Sequence, residues 1–161
     1  MPDSQRWSAK LGTTIFNLVH ATTDFKQEYC MQGMNVYPTE VLPGSLYIGD
    51  ASLAGLAASG QLPVQTVVNC SANLNLQSQH VEVLNIPALD EESYPLLTRH
   101  LPLFTKFLTA RFREGKAVLV NCQAGVNRSV ALVVGFLVEA FGLPLLDAVF
   151  YVRRRRGKPI L

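Results

Sequence analysis

Cysteine is scarce in this chain. Of its 161 residues three are cysteine, Cys30, Cys70 and Cys122. The count is odd and the spacing fits no tetrahedral metal set, so neither a disulfide framework nor a metal site is expected. Charge is scarce too. Only 16% of residues are Asp, Glu, Lys or Arg, and the formal net charge is +2. So modest a field excludes the basic surface that nucleic-acid binding needs. No apolar run approaches the roughly 20 residues that span a bilayer. Met1–Lys10 is polar and does not read as a secretory leader. Repeats and low-complexity linkers are missing. What is present is one domain's length and 48% hydrophobic residues, enough for a core. The expectation is a cytoplasmic or nuclear protein with reduced thiols, no cofactor, no metal, no nucleic-acid partner and no membrane association.

The most informative stretch is Ala117-Val118-Leu119-Val120-Asn121-Cys122-Gln123-Ala124-Gly125-Val126-Asn127-Arg128-Ser129. Ala117–Val120 reads as a buried strand and Val130–Val138 as a buried helix. Between them runs a tight loop with a thiol at its start and a guanidinium at its end. Such a loop suits an oxyanion, because its backbone N–H groups and the helix N-terminus aim positive dipole at one spot. Arg128 adds a planar fork that fits two phosphate oxygens. Gly125 permits a twist that a β-carbon would resist. Gln123, Ala124, Val126 and Asn127 are uncharged, so the loop binds through main chain and Arg128. The same field lowers the pKa of Cys122 and makes it a thiolate nucleophile. Ser129 can donate its hydroxyl to that sulfur. The bland alternatives are a buried core thiol at Cys122 and a helix N-cap at Ser129.

Cys122, Gly125, Arg128 and Ser129, with a strand before and a helix after, resemble the signature His-Cys-x5-Arg-Ser/Thr of the cysteine-dependent protein tyrosine phosphatase superfamily, and in particular its dual-specificity class. Asn121 stands where that family usually has histidine, which bears on the nucleophile's pKa. The resemblance implies a general acid on a loop ahead of the cysteine. Asp90, in Ile86-Pro87-Ala88-Leu89-Asp90-Glu91-Glu92-Ser93, occupies that position. An N-cap role is the alternative for Asp90. Glu91 and Glu92 read as acids of a first helical turn. Leu42-Pro43-Gly44-Ser45-Leu46-Tyr47-Ile48-Gly49-Asp50 resembles the opening of the same domain.

Around these motifs the chain alternates strands and helices. Strands are expected at Val41–Leu42, Leu46–Ile48, Thr66–Asn69, Val81–Leu84 and Ala117–Val120. Helices are expected at Asp50–Ser59, Tyr94–Phe112, Val130–Val138 and Leu143–Val152, the last ending in Arg153-Arg154-Arg155-Arg156-Gly157. This order predicts an α/β fold, a central mixed and mostly parallel sheet flanked by helices. Leu11, Ile15, Leu18, Val19 and Thr22 share one helical face, so residues 9–30 read as an extra amphipathic N-terminal helix. It is expected to pack on the domain or to support a homodimer. The division is therefore an N-terminal segment, residues 1–37, and a phosphatase domain, residues 38–161. Relatives carry a further loop and helix after the arginine-rich segment, and this domain is expected to lack the last helix.

The resemblance implies hydrolysis of phosphotyrosine and phosphoserine or phosphothreonine in proteins through a phosphocysteine intermediate. Relatives that cut inositol-lipid phosphates usually carry lysines in the loop, whereas this loop is neutral. It also implies that Arg156 could bind a second phosphate, against the plainer reading of a solvated helix end for the arginine run. A superfamily cysteine matching Cys70 can trap the oxidised nucleophile as a disulfide, against a plain packing cysteine. Two rival readings stay open: a catalytically weak phosphoprotein-binding module, to which Asn121 points, and a phosphatase acting on RNA 5′-triphosphate or lipid phosphates.

Overall fold

The computed structural model describes residues 37–157, 160 and 161. The helix expected over residues 9–30 lies outside the described residues. Five strands form one sheet: β1 (Thr39–Leu42), β2 (Leu46–Gly49), β3 (Thr66–Asn69), β4 (Glu82–Asn85) and β5 (Val118–Asn121). Their spatial order is β1-β2-β5-β3-β4. β1 pairs antiparallel with β2 through the Pro43-Gly44 turn, where Gly44 takes a positive φ of 64°. The other three pairings are parallel. The sheet is thus mixed and mostly parallel, as its alternating order of strands and helices predicts.

β3 and β5 are buried at every position, as central parallel strands covered on both faces should be. Alternation sorts their side chains. Val67 and Leu119 face a small cluster with Leu53, Ala54 and Ala57 of helix α1 (Ala51–Ala58). Val68, Cys70, Val118, Val120 and Cys122 join the larger cluster built by α2 (Leu96–Arg113), α3 (Arg128–Phe141) and α4 (Leu145–Arg156). Phe136 of α3 anchors that side, meeting Phe104 and Phe112 of α2 edge-on at 6.4 and 5.9 Å. The two cysteines therefore point to the same face of the sheet.

Several boundaries differ from expectation for local reasons. α1 starts after Asp50, whose carboxylate caps it by accepting from the Leu53 amide at 3.0 Å. α2 begins after Pro95, so Glu91 and Glu92 lie in the preceding exposed loop and not in a first helical turn. Asp90 is likewise no N-cap. α3 begins at Arg128, with Asn127 at the N-cap making no side-chain cap bond, so Ser129 is inside the helix. α4 takes in all four arginines and stops at Gly157, which adopts the left-handed conformation with φ 67°.

Candidate active site

β5 delivers Cys122, and the loop that follows turns back at once into α3. Gly125 makes the turn, with φ 66°. A β-carbon there would come within 2.8 Å of the Gly49 carbonyl oxygen and of Arg156 Nη2. Only glycine fits this space. The Ala51 amide at the start of α1 donates to the Gln123 carbonyl, at 3.1 Å, and ties the loop to the end of β2. Arg156 ties it from α4, donating from Nη2 to the Gly125 carbonyl and from Nη1 to Thr39 Oγ1, both at 2.8 Å. The side chains of Gln123, Ala124 and Asn127 are exposed around the loop's rim.

Cys122 is 2% exposed, and its sulfur lies 3.2 Å from Ser129 Oγ. Burial alone pushes the thiol up. The Ser129 hydroxyl outweighs it together with the backbone N–H groups of Ser129, Val126 and Gly125, and the thiol sits below its ordinary value. Arg128 is 5% exposed. Its Nη1 donates to the Ala88 carbonyl at 2.9 Å, and its Nε lies 3.9 Å from Asp90 Oδ1. That Nε is buried with no hydrogen-bond partner. A buried guanidinium N–H is costly to leave unmade, and a phosphate oxygen is the partner it suits. The Asp90 side chain is 58% exposed. One arginine thus holds the Asp90 loop by its backbone and faces the Asp90 carboxylate.

Cys70 follows Asn69 as Cys122 follows Asn121, and these asparagines are register partners in parallel strands. The Cys70 amide donates to the Asn121 carbonyl at 2.7 Å. Cys70 is fully buried. Burial pushes its thiol far up, Cys122 adds to this, and Arg128 opposes it. Cys70 is a neutral thiol beside an acidic one.

The asparagine row went unread in the sequence. Asn121 Nδ2 donates to Asn69 Oδ1 at 3.1 Å, and Asn69 Nδ2 donates to Asn85 Oδ1 at 2.8 Å. Three adjacent parallel strands thus end in a ladder of amides behind the loop. The signal was there: Val68-Asn69, Leu84-Asn85 and Val120-Asn121 each close an apolar run with asparagine.

The dual specificity phosphatase catalytic domain family matches residues 46–161, and the chain belongs to that family. It is 32% identical to the dual specificity protein phosphatase Mpk3 of Drosophila melanogaster over 126 residues, 76% of this chain and 30% of that protein. It is 37% identical to human dual specificity protein phosphatase 22 over 128 residues, 78% of this chain and 65% of that protein. The fold is similar to the crystal structure of human DUSP28, with a TM-score of 0.65 and 32% identity, covering 77% of this chain and 86% of that one. The chain spans about a third of the length of the first of these relatives. Among the described residues no helix is long and apolar enough to cross a membrane.

Proposed function

We propose that the chain is a dual-specificity protein phosphatase that hydrolyses phosphotyrosine and phosphoserine or phosphothreonine through a phosphocysteine intermediate. The observation that carries this reading is the buried Cys122 sulfur, 3.2 Å from Ser129 Oγ and held below its ordinary pKa by the loop's N–H groups. In the first step the Cys122 thiolate attacks phosphorus, a sulfur–phosphorus bond forms, and the phosphorus–oxygen ester bond breaks. The loop amides from Gln123 to Arg128 and the Arg128 guanidinium hold the phosphoryl oxygens. Asp90 gives its proton to the leaving oxygen, which is a poor leaving group without one. In the second step Asp90 takes a proton from water as it attacks phosphorus. The thiolate departs, stabilised by the Ser129 hydroxyl, and inorganic phosphate leaves.

The neutral loop side chains Gln123, Ala124, Val126 and Asn127 favour a protein phosphomonoester over lipid or RNA polyphosphates. Asn121 favours the rival reading, a phosphoprotein-binding module with little turnover. The presence of Cys122 and Arg128 on one loop, with Asp90 3.9 Å from Arg128, weighs against it. Turnover of para-nitrophenyl phosphate, with Cys122→Ser as the blank, separates the two. Asp90→Asn should slow alkyl phosphates far more than activated aryl phosphates, whose leaving groups need no proton. Equal losses would move the acid's role to Glu91 or Glu92. A reactive thiol fits a reducing cytoplasmic or nuclear setting. The amphipathic pattern of residues 9–30 supports a homodimer, and a halved mass in light scattering after removal of residues 1–37 would bear that out.

A further inference from the structure

The loop carrying Asp90 has no helix or strand of its own, and it is fixed at two ends. At its start the Ile86 amide donates to the Asn69 carbonyl at 2.7 Å. The Ala88 carbonyl accepts from Arg128 Nη1 at 2.9 Å and from the Ala72 amide at 3.2 Å. Leu89–Ser93 is exposed. At the far end stands Tyr94, half-buried against the main core. Its amide donates to the Glu91 carbonyl at 3.0 Å. Its hydroxyl lies 2.5 Å from His100 Nε2 and 3.4 Å from the Pro87 carbonyl. The two rings stack, with centroids 5.7 Å apart and planes 24° apart, and the Arg99 guanidinium lies 5.6 Å from the Tyr94 centroid.

We infer that Tyr94 and His100 are positioning residues for the general acid, a brace that pins the exposed half of the Asp90 loop to α2. One proton arrangement satisfies all three polar groups. His100 Nε2–H donates to the Tyr94 oxygen, and the Tyr94 O–H donates across the base of the loop to Pro87. Each bond polarises the next. Pro87 and Tyr94 are then the closed neck of a short loop with Asp90 near its apex. The hydrogen bonds of Tyr94 go to Pro87, Glu91 and His100, none of them in the Cys122–Ser129 loop, so the pair acts apart from the attack by Cys122. Their effect is confined to how often Asp90 stands where its proton is needed. This inference rests on the phosphatase reading.

The test compares Tyr94→Phe, His100→Phe and His100→Gln with the parent on phenyl phosphate and on para-nitrophenyl phosphate. Both phenylalanine variants keep a stacked ring and lose the polar link. Each should lower kcat about tenfold on phenyl phosphate, well inside the loss that misplacing a catalytic group causes. Each should stay within about twofold on the activated ester, with KM unchanged, because protonation matters little there. Combining Tyr94→Phe with His100→Phe should add nothing. His100→Gln keeps a donor and should keep the parent's ratio of the two rates. Equal losses on both esters, or no loss on either, would overturn the brace. Hydrogen exchange reads it independently of turnover. The Leu89–Ser93 amides should exchange faster in Tyr94→Phe than in the parent, and unchanged exchange would overturn it. A parent that hydrolyses neither ester would instead sink the phosphatase reading, leaving exchange to judge the brace.

Discussion

Asn121 donates from Nδ2 to Asn69 Oδ1 at 3.1 Å, across two parallel strands, at the point where β5 enters the Cys122–Ser129 loop. Both side chains are buried. The Asn69 oxygen also accepts from the Ser71 amide at 3.2 Å, while Asn121 Oδ1 has no partner. The residue that replaces the family's usual histidine is therefore bonded sideways into a ladder. The groups that lower the Cys122 thiol are the Ser129 hydroxyl and the amides of Ser129, Val126 and Gly125.

The first prediction concerns that substitution. Asn121→His puts an N–H in reach of Asn69 and adds a cation next to the nucleophile. A cation favours the thiolate, so the Cys122 pKa should fall and the acid limb of the rate profile should move to lower pH. Alkylation rate against pH measures it directly. No shift, or an upward one, would show that the amide already does the histidine's work.

Ser129 carries the opposite prediction. Its hydroxyl is the first of the groups that lower the Cys122 thiol against the upward push of burial. With Ser129→Ala that support is lost and the thiol pKa rises. The thiolate then forms only at higher pH, so the acid limb moves up. Loss of one donor to a charged centre should also slow release of the thiolate, on the order of a hundred- to a thousandfold. Phosphoenzyme should accumulate in this variant. An unchanged limb would reduce Ser129 to a packing residue.

Arg156 separates two roles. Both of its terminal nitrogens are engaged, by Thr39 and by the Gly125 carbonyl of the Cys122–Ser129 loop. That geometry supports a buttress more than a second phosphate site. Arg156→Met should therefore lower kcat on small monophosphates about tenfold, through a loosened loop. A loss confined to doubly phosphorylated peptides would restore the second-phosphate role.

Much of this architecture was legible from residues alone. The apolar runs of β3 and β5, the turn at Pro43-Gly44 and the Cys122–Ser129 loop all read correctly, because local pattern decides them. Glu91, Glu92 and the start of α2 differ from expectation, because the apolar pattern begins at Tyr94 while the helix itself begins only after Pro95. The link from Arg128 to Ala88 leaves no trace in the sequence, and the asparagines that close three apolar runs do not by themselves reveal that they bond to one another. Both join residues far apart in sequence, and only strand order brings them together. The Tyr94–His100 pair is local, yet its i to i+6 spacing straddles a helix start, where no periodicity applies.

Cys70 gives a redox prediction. A thiolate at Cys122 is the one that peroxide oxidises to the sulfenic acid. Cys70, one strand over on the same face, can then attack that sulfur, releasing water and forming a disulfide. Neighbouring strands run about 4.8 Å apart, inside the α-carbon range of a disulfide. Peroxide inactivation should be reversed by dithiothreitol in the parent and become irreversible in Cys70→Ser. Equal recovery of both would make Cys70 a core residue only.

The central claim is that phosphorus passes through the Cys122 sulfur. Rapid acid quench during turnover of para-nitrophenyl phosphate, followed by peptide mass spectrometry, reads this directly. The account predicts one phosphoryl group on the peptide containing Cys122, enriched by Ser129→Ala and absent, with all turnover, in Cys122→Ser. Retained turnover in Cys122→Ser, or a phosphoryl group on any other side chain, would contradict it.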